Sequence, residues 1–181
     1  MSKAGGAYNY AVPKSKSENP VTTQPSHTWL LLFPATYALH IIEEYRAGEG
    51  FRRWIRRIAR IVLSPAQFLS VNAALWVVMT FAVLSVHSLS ADGWIVVALA
   101  VLVAVNALGH LMGTLVTRSY SPGLATGLGL WTPLGIYTLI RTVPALPATQ
   151  LWIGVAAGLV IQAMVSLIAL ILGKRVQPDS L

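Results

Sequence analysis

His40, Glu43 and Glu44 close an otherwise apolar run in ALHIIEEYR, residues 38–46, so two of the chain's six acidic residues lie together there. On a helix, positions i, i+3 and i+4 share one broad face, although Glu43 and Glu44 diverge by about 100° and cannot point the same way. Asn106 and His110, at i and i+4 in VLVAVNALGHLMG, stack one turn apart. Gly109 and Gly113 beside them leave room for a neighbouring helix. These five groups offer two chemistries. His40, Glu44 and His110 form a two-histidine, one-carboxylate set that suits zinc or iron(II) and leaves a position open for water or substrate. Glu43 then serves as general base or orienting group, and Asn106 as a hydrogen-bond partner. The other chemistry needs no metal: a carboxyl group in a low-dielectric cavity and a neighbouring imidazole exchange a proton near neutral pH, protonating an alkene or epoxide, moving a double bond or activating water. No HExxH motif occurs and the ExxH order of di-iron helices is missing, which turns the reading towards the metal-free version.

The elements that must position these groups are membrane helices. Of 181 residues, 55% are apolar and 10% charged, against roughly 25% charged in soluble domains. The apolar residues fall in blocks of about 20, the length that crosses a hydrocarbon core of about 30 Å. The expected fold is all-α: a bundle of about five transmembrane helices with one interfacial amphipathic helix. Residues 1–26, rich in Pro, Ser, Asn and Gly, read as a flexible tail. The transmembrane domain covers 27–175, and 176–181 form a C-terminal tail.

The first span runs from Thr28 to Tyr45 with a kink at Pro34. Ser64-Pro65 caps and starts the second, which ends near Ser88. Asp92 can cap the third, which ends near Thr117. Tyr120-Ser121-Pro122-Gly123 starts the fourth, whose Gly127, Gly129, Pro133 and Gly135 suggest close packing and a bend. The fifth runs from Thr149 to Leu172. Between the first two spans, FRRWIRRIARIVL, residues 51–63, places Phe51, Trp54, Ile55, Ile58 and Val62 at helical spacing among five arginines, the pattern of a helix lying in the headgroup plane.

Nine lysines and arginines fall on the side of that helix and the C-terminus, four on the other. By the positive-inside tendency the N-terminus lies outside and the C-terminus is cytoplasmic. The net charge of +7 therefore reads as contact with the lipid bilayer rather than with nucleic acid. The absence of cysteine excludes disulfides, thiolate metal sites and cysteine nucleophiles.

This topology brings His40, His110 and Asn72 to within about 9–12 Å of the cytoplasmic boundary. Trp76, Trp131, Tyr45 and Tyr120 are candidates to shield a cationic intermediate with their ring faces. The Tyr120-Ser121-Pro122-Gly123 turn presents free amide groups at the cytoplasmic mouth, able to hold a substrate carboxylate or phosphate or to bond Glu43. His27 and His87 read as interfacial residues, and Gln162 either reaches the site from above or, the favoured reading, bridges helices.

In ordered sequence, His40-x-x-Glu43-Glu44, the Asn106 and His110 segment, and Tyr120-x-Pro122-Gly123 resemble the HXXEE family of small membrane proteins, and the resemblance covers most of the hydrophobic chain. It implies a shared polar site in a helical membrane protein but no activity. The functional expectation is a membrane enzyme that acts on a lipophilic small molecule by Glu/His acid–base chemistry, of isomerase, cyclase or hydrolase type. No cofactor is favoured, with zinc or iron as the alternative. A proton- or ion-coupled transport subunit, working as an oligomer, is the reading outside catalysis.

Overall fold

The computed structural model describes residues 27–175 apart from position 88. The expected tails, 1–26 and 176–181, lie outside the described residues. The chain is mostly helical. A 3₁₀ turn, Thr28–Leu31, leads into α1, Leu32–Arg46; α2 covers Phe51–Ala59, α3 Pro65–Ser85 and α4 Leu89–Thr117. Then come α5, Leu124–Thr126, a π-helical turn over Gly127–Trp131, α6, Thr132–Thr142, and α7, Ala148–Leu172. Three segments are long and apolar enough to cross a membrane: Pro65–Ser85, Ala91–Thr117 and Ala148–Leu172. α1 has 15 residues, about 22 Å of helix, and the run from α5 to α6 is broken by its π-turn.

Local chemistry explains the boundaries. At the start of α3, Ser64 Oγ accepts from Gln67 N at 3.1 Å and Gln67 Oε1 accepts from Ser64 N at 2.8 Å, with Pro65 in the first helical position, as the capping signal predicts. Pro34 falls in the first turn of α1, where a missing N–H breaks no helical bond. A 3₁₀-to-α junction thus stands where a mid-helix kink was expected. Asp92 Oδ2 accepts from His87 N at 2.9 Å, so it serves the turn before α4. The bend expected around Gly127 to Gly135 takes the form of the π-turn immediately before Pro133.

The amphipathic helix is shorter than its pattern. It ends at Ala59 rather than residue 63, because Arg60 adopts a left-handed conformation (φ 56°). Ile61 and Val62, β-branched and extended, then form strand β1, Ile61–Val62, paired antiparallel with β2, Lys174–Arg175. The ladder joins the arginine-rich segment to the end of α7. α2 also turns its apolar face into the bundle: Trp54 is buried and lies so close to Gly113 that a Cβ there would sit 2.7 Å from its ring. The space at Gly113 is therefore taken by a neighbouring helix, α2.

α4 is the central helix. Half of its most apolar window is buried, against 17% for α3 and 6% for α7, so the outer helices keep their apolar surfaces for surroundings other than protein. Val96, Leu99, Ala100 and Val103 of α4 pack in the core with Leu30, Phe33, Tyr37, Met79 and Trp131. α7 reaches α4 through Gly154 and Gly158, where a Cβ would meet Trp94 O at 2.6 Å and Ala98 O at 2.7 Å. Such small-residue contact lets two backbones approach closely without a hydrophobic driving force.

Candidate functional site

α1 and α4 deliver His40, Glu44 and His110 to one point. His40 is 1% exposed, Glu44 6% and His110 6%. Glu44 Oε1 lies 3.7 Å from His40 Nε2 and 3.4 Å from His110 Nε2, and a donor atom from each residue falls within 4.8 Å of the other two. The remaining ring nitrogens are held from behind: His40 Nδ1 pairs with Thr126 Oγ1 at 2.7 Å, and His110 Nδ1 with Ser121 Oγ at 2.9 Å. Trp131 stacks on His40 with ring centroids 3.8 Å apart. Packing and the hydroxyl contacts therefore aim both Nε2 atoms at the same carboxylate oxygen. His40 Nε2 itself has no hydrogen-bond partner.

Glu43, one helical step away, faces elsewhere. Its carboxylate accepts from the backbone N–H of Gly123 at 3.0 Å, Ala125 at 2.9 Å and Thr126 at 2.7 Å, and from the Tyr120 hydroxyl. The free amides of the turn thus bind a side chain of the protein, and the charge lies at the positive end of the segment that starts there. Glu43 does not line the cavity beside Glu44, which corrects its expected place among the reacting groups: about 100° of helix rotation separates the two. Burial and the Glu43 carboxylate together push the Tyr120 hydroxyl up to about 12, so it remains a donor at neutral pH.

Gly123 makes the junction possible. Its φ of +106° is open to glycine, and a Cβ there would lie 2.6 Å from His110 Cε1 and Nε2 and 2.8 Å from His40 Cε1. Backbone amide to Glu43 on one side and two imidazoles on the other leave no room for a side chain. Pro122 and Ser121 beside it are fully buried.

A cavity of about 190 Å³ opens in front of the centre. His40, Glu44, His110, Asn106 and Asn72 line it, so five of the expected residues converge there. Asn72 Oδ1 accepts from the Tyr37 hydroxyl at 2.8 Å. Gly109 borders the cavity, and a Cβ there would meet no atom within 4 Å; its space belongs to the cavity rather than to a packed helix. Gln162 also lines the cavity, the less favoured of its two expected parts.

Several aromatic residues fall elsewhere. Trp76 is 39% exposed and its Nε1 donates to Pro34 O at 2.9 Å, which holds α3 to α1. Tyr45 and Tyr120 are both more than 40% exposed and outside the wall. Trp131 supports His40 from behind. Sequence reasoning does not single out Tyr37 and Thr126, and names Ser121 only as part of the Tyr120–Gly123 turn. Tyr37 lies one turn before His40, and that i, i+3 relation was the signal available for it.

Two imidazoles with free Nε2 atoms and one carboxylate can coordinate a cation or pass a proton. The separations of 3.4 and 3.7 Å exceed an ordinary N–H···O bond of roughly 2.7–3.2 Å. They are close to the roughly 3.3 Å between donors placed tetrahedrally around zinc at about 2.0–2.1 Å. The tautomer in which each Nδ1–H donates to its hydroxyl would leave the Nε2 lone pair free to bind a metal.

No curated protein sequence and no solved structure matches the chain. A family model described as a protein of unknown function with HXXEE motif matches residues 31–138, a range that contains His40, Glu43, Glu44, Asn106, His110 and the Tyr120–Gly123 turn. The chain belongs to the HXXEE family.

Proposed function

We propose that the protein is a multi-pass membrane enzyme that transforms a lipophilic small molecule at a divalent-metal centre formed by His40, Glu44 and His110. The observation that carries this reading is the donor spacing: one carboxylate oxygen 3.4 and 3.7 Å from two Nε2 atoms, with both Nδ1 atoms held by hydroxyls. Zinc or iron(II) suits this ligand set, and a three-residue set leaves an open position for water or substrate. The cation would polarise a substrate oxygen or generate hydroxide beside it. Asn106 and Asn72 orient the substrate from the cavity wall.

All five apolar runs cross the membrane in this reading, with the N-terminus outside and the C-terminus cytoplasmic. The β1–β2 ladder supports the same-side placement of the arginine-rich segment and the C-terminus. The centre then lies just inside the cytoplasmic leaflet, behind α2.

A second reading keeps the substrate class and dispenses with the metal. Glu44 is almost fully buried beside two imidazoles, which supports direct acid–base chemistry of isomerase, cyclase or hydrolase type. Metal analysis separates the two. Protein purified without chelator should carry about one zinc or iron per chain, and cobalt(II) substitution should give the visible bands of a tetrahedral or five-coordinate site. Glu44→Gln and His110→Gln should each lower metal content by tenfold or more. Metal-free protein that binds no cobalt while its fold is intact returns the assignment to proton transfer.

A further inference from the structure

Beside the first cavity lies a second of about 180 Å³, bordered by Ile55 of α2, Ile61 of β1 and Leu170 of α7. Phe51, Leu63, Ser166 and Ala169 line both chambers, so the two adjoin at one wall. The outer chamber is apolar apart from Ser166 and includes no group of the His/Glu centre. Leu170 on its border is 53% exposed, so the chamber opens on the outward, apolar face of α7.

Cations gather along the strand that closes this chamber. Arg60 directly precedes Ile61 and is exposed. Arg175 pairs with Ile61 across the ladder, and directly opposed residues of an antiparallel pair project from the same face. Ile61 borders the chamber from that face while Arg175 is exposed. Arg52 reaches the same segment from α2, its Nε donating to Leu63 O at 2.8 Å. Three arginines thus border residues 61–63, about 7 Å of extended chain. Among the described residues none of the three forms an ion pair; Glu49, the acidic residue of the loop before α2, pairs with Arg57.

A cationic rim on an apolar chamber is the complement of an anionic amphiphile. From this pairing we infer that the α2–β1–α7 face binds one anionic phospholipid of the surrounding leaflet, its phosphate at Arg52, Arg60 and Arg175 and one acyl chain in the outer chamber. A zwitterionic phospholipid brings its own ammonium to the rim and loses the charge match. Inorganic phosphate matches the rim and leaves the chamber empty. Basic pockets beside membrane helices on the cytoplasmic side recognise anionic headgroups in this way, which agrees with the side proposed for α2. The seated chain walls the inner chamber at Phe51 and Ala169, but the lipid site does not rest on the enzyme reading or on the metal.

The full chain in detergent micelles containing equal amounts of phosphatidylglycerol and phosphatidylcholine is measured by native mass spectrometry. One phosphatidylglycerol per chain should stay bound, at about tenfold or more over phosphatidylcholine. Arg52→Gln, Arg60→Gln and Arg175→Gln should each weaken retention about fivefold, the scale of one basic residue at an anionic surface. Arg53→Gln removes the same charge about 160° around α2 from Ile55 and should change retention less than about twofold. A phosphatidylglycerol with a diazirine midway along one acyl chain should label Ile55, Ile61 or Leu170; its lyso form should displace it, and millimolar inorganic phosphate should not. Equal retention of the two lipids, equal losses for Arg53→Gln and Arg175→Gln, displacement by inorganic phosphate, or labelling confined to outward residues such as Phe81 overturns the inference.

Discussion

Replacing Gly123 with alanine tests how tightly the two halves of the site are held. The new Cβ would fall 2.6 Å from two atoms of the His110 ring and 2.8 Å from His40 Cε1, about 1 Å inside the roughly 3.5–4.0 Å at which carbon atoms rest. A side chain at φ +106° adds a conformational penalty of about 1–2 kcal/mol. Overpacking of a filled interior adds about 1–3 kcal/mol. If both imidazoles keep their places, Gly123→Ala should therefore destabilise the fold by about 2–5 kcal/mol, a 30-fold or larger change in the folded ratio at the lower end. If the rings swing aside instead, only the conformational penalty of about 1–2 kcal/mol remains and the Nε2 atoms no longer converge on Glu44. Thermal unfolding in detergent reads the first outcome, and the cobalt(II) spectrum reads the second. Gly129→Ala, whose Cβ would meet no atom within 4 Å, is the control and should change neither. A Gly123→Ala protein with parental stability and an unchanged cobalt spectrum would refute the proposed proximity of this backbone to both histidines.

Glu43→Gln should remove the charge from the bonds with Gly123, Ala125 and Thr126; with charge-assisted bonds contributing about 1.5–3 kcal/mol, the loss should appear as faster amide exchange over residues 123–126. Tyr120 supplies a pH test. Its hydroxyl is raised from 10.0 to about 12, so its contribution to stability is whole below pH 10 and is lost as pH rises towards 12; Tyr120→Phe should abolish that alkaline component in an unfolding series and remove one late-titrating phenol from the ultraviolet titration. Gly158→Leu should force α7 from α4, where even a Cβ would lie 2.7 Å from Ala98 O, and lower stability by about 1–3 kcal/mol, whereas Val160→Leu on the exposed face should be neutral by the same thermal assay.

What the sequence determined on its own follows from local rules. Long apolar runs dictate α3, α4 and α7, Ser64-Pro65-x-Gln67 dictates the start of α3, and the i, i+4 spacing puts His40 and Glu44 on one face. Tertiary structure decided the rest. Glu43 and Glu44 are equivalent in type and adjacent in the chain, and the rotation of α1 against α4 sends one to His110 and the other to the amides after Gly123. Ser121 and Thr126 orient the histidines across separations of 11 and 86 residues, contacts with no periodic signal. α2 has the pattern of a surface helix, yet Arg60 ends it early and the Ile61–Val62 pairing with Lys174–Arg175 draws it beneath the cavity. Helical period and apolar length act within a single segment and were therefore readable from it. The centre and its cavity arise between segments, where rotation, close backbone approach and long-range pairing are set only when all the helices pack together.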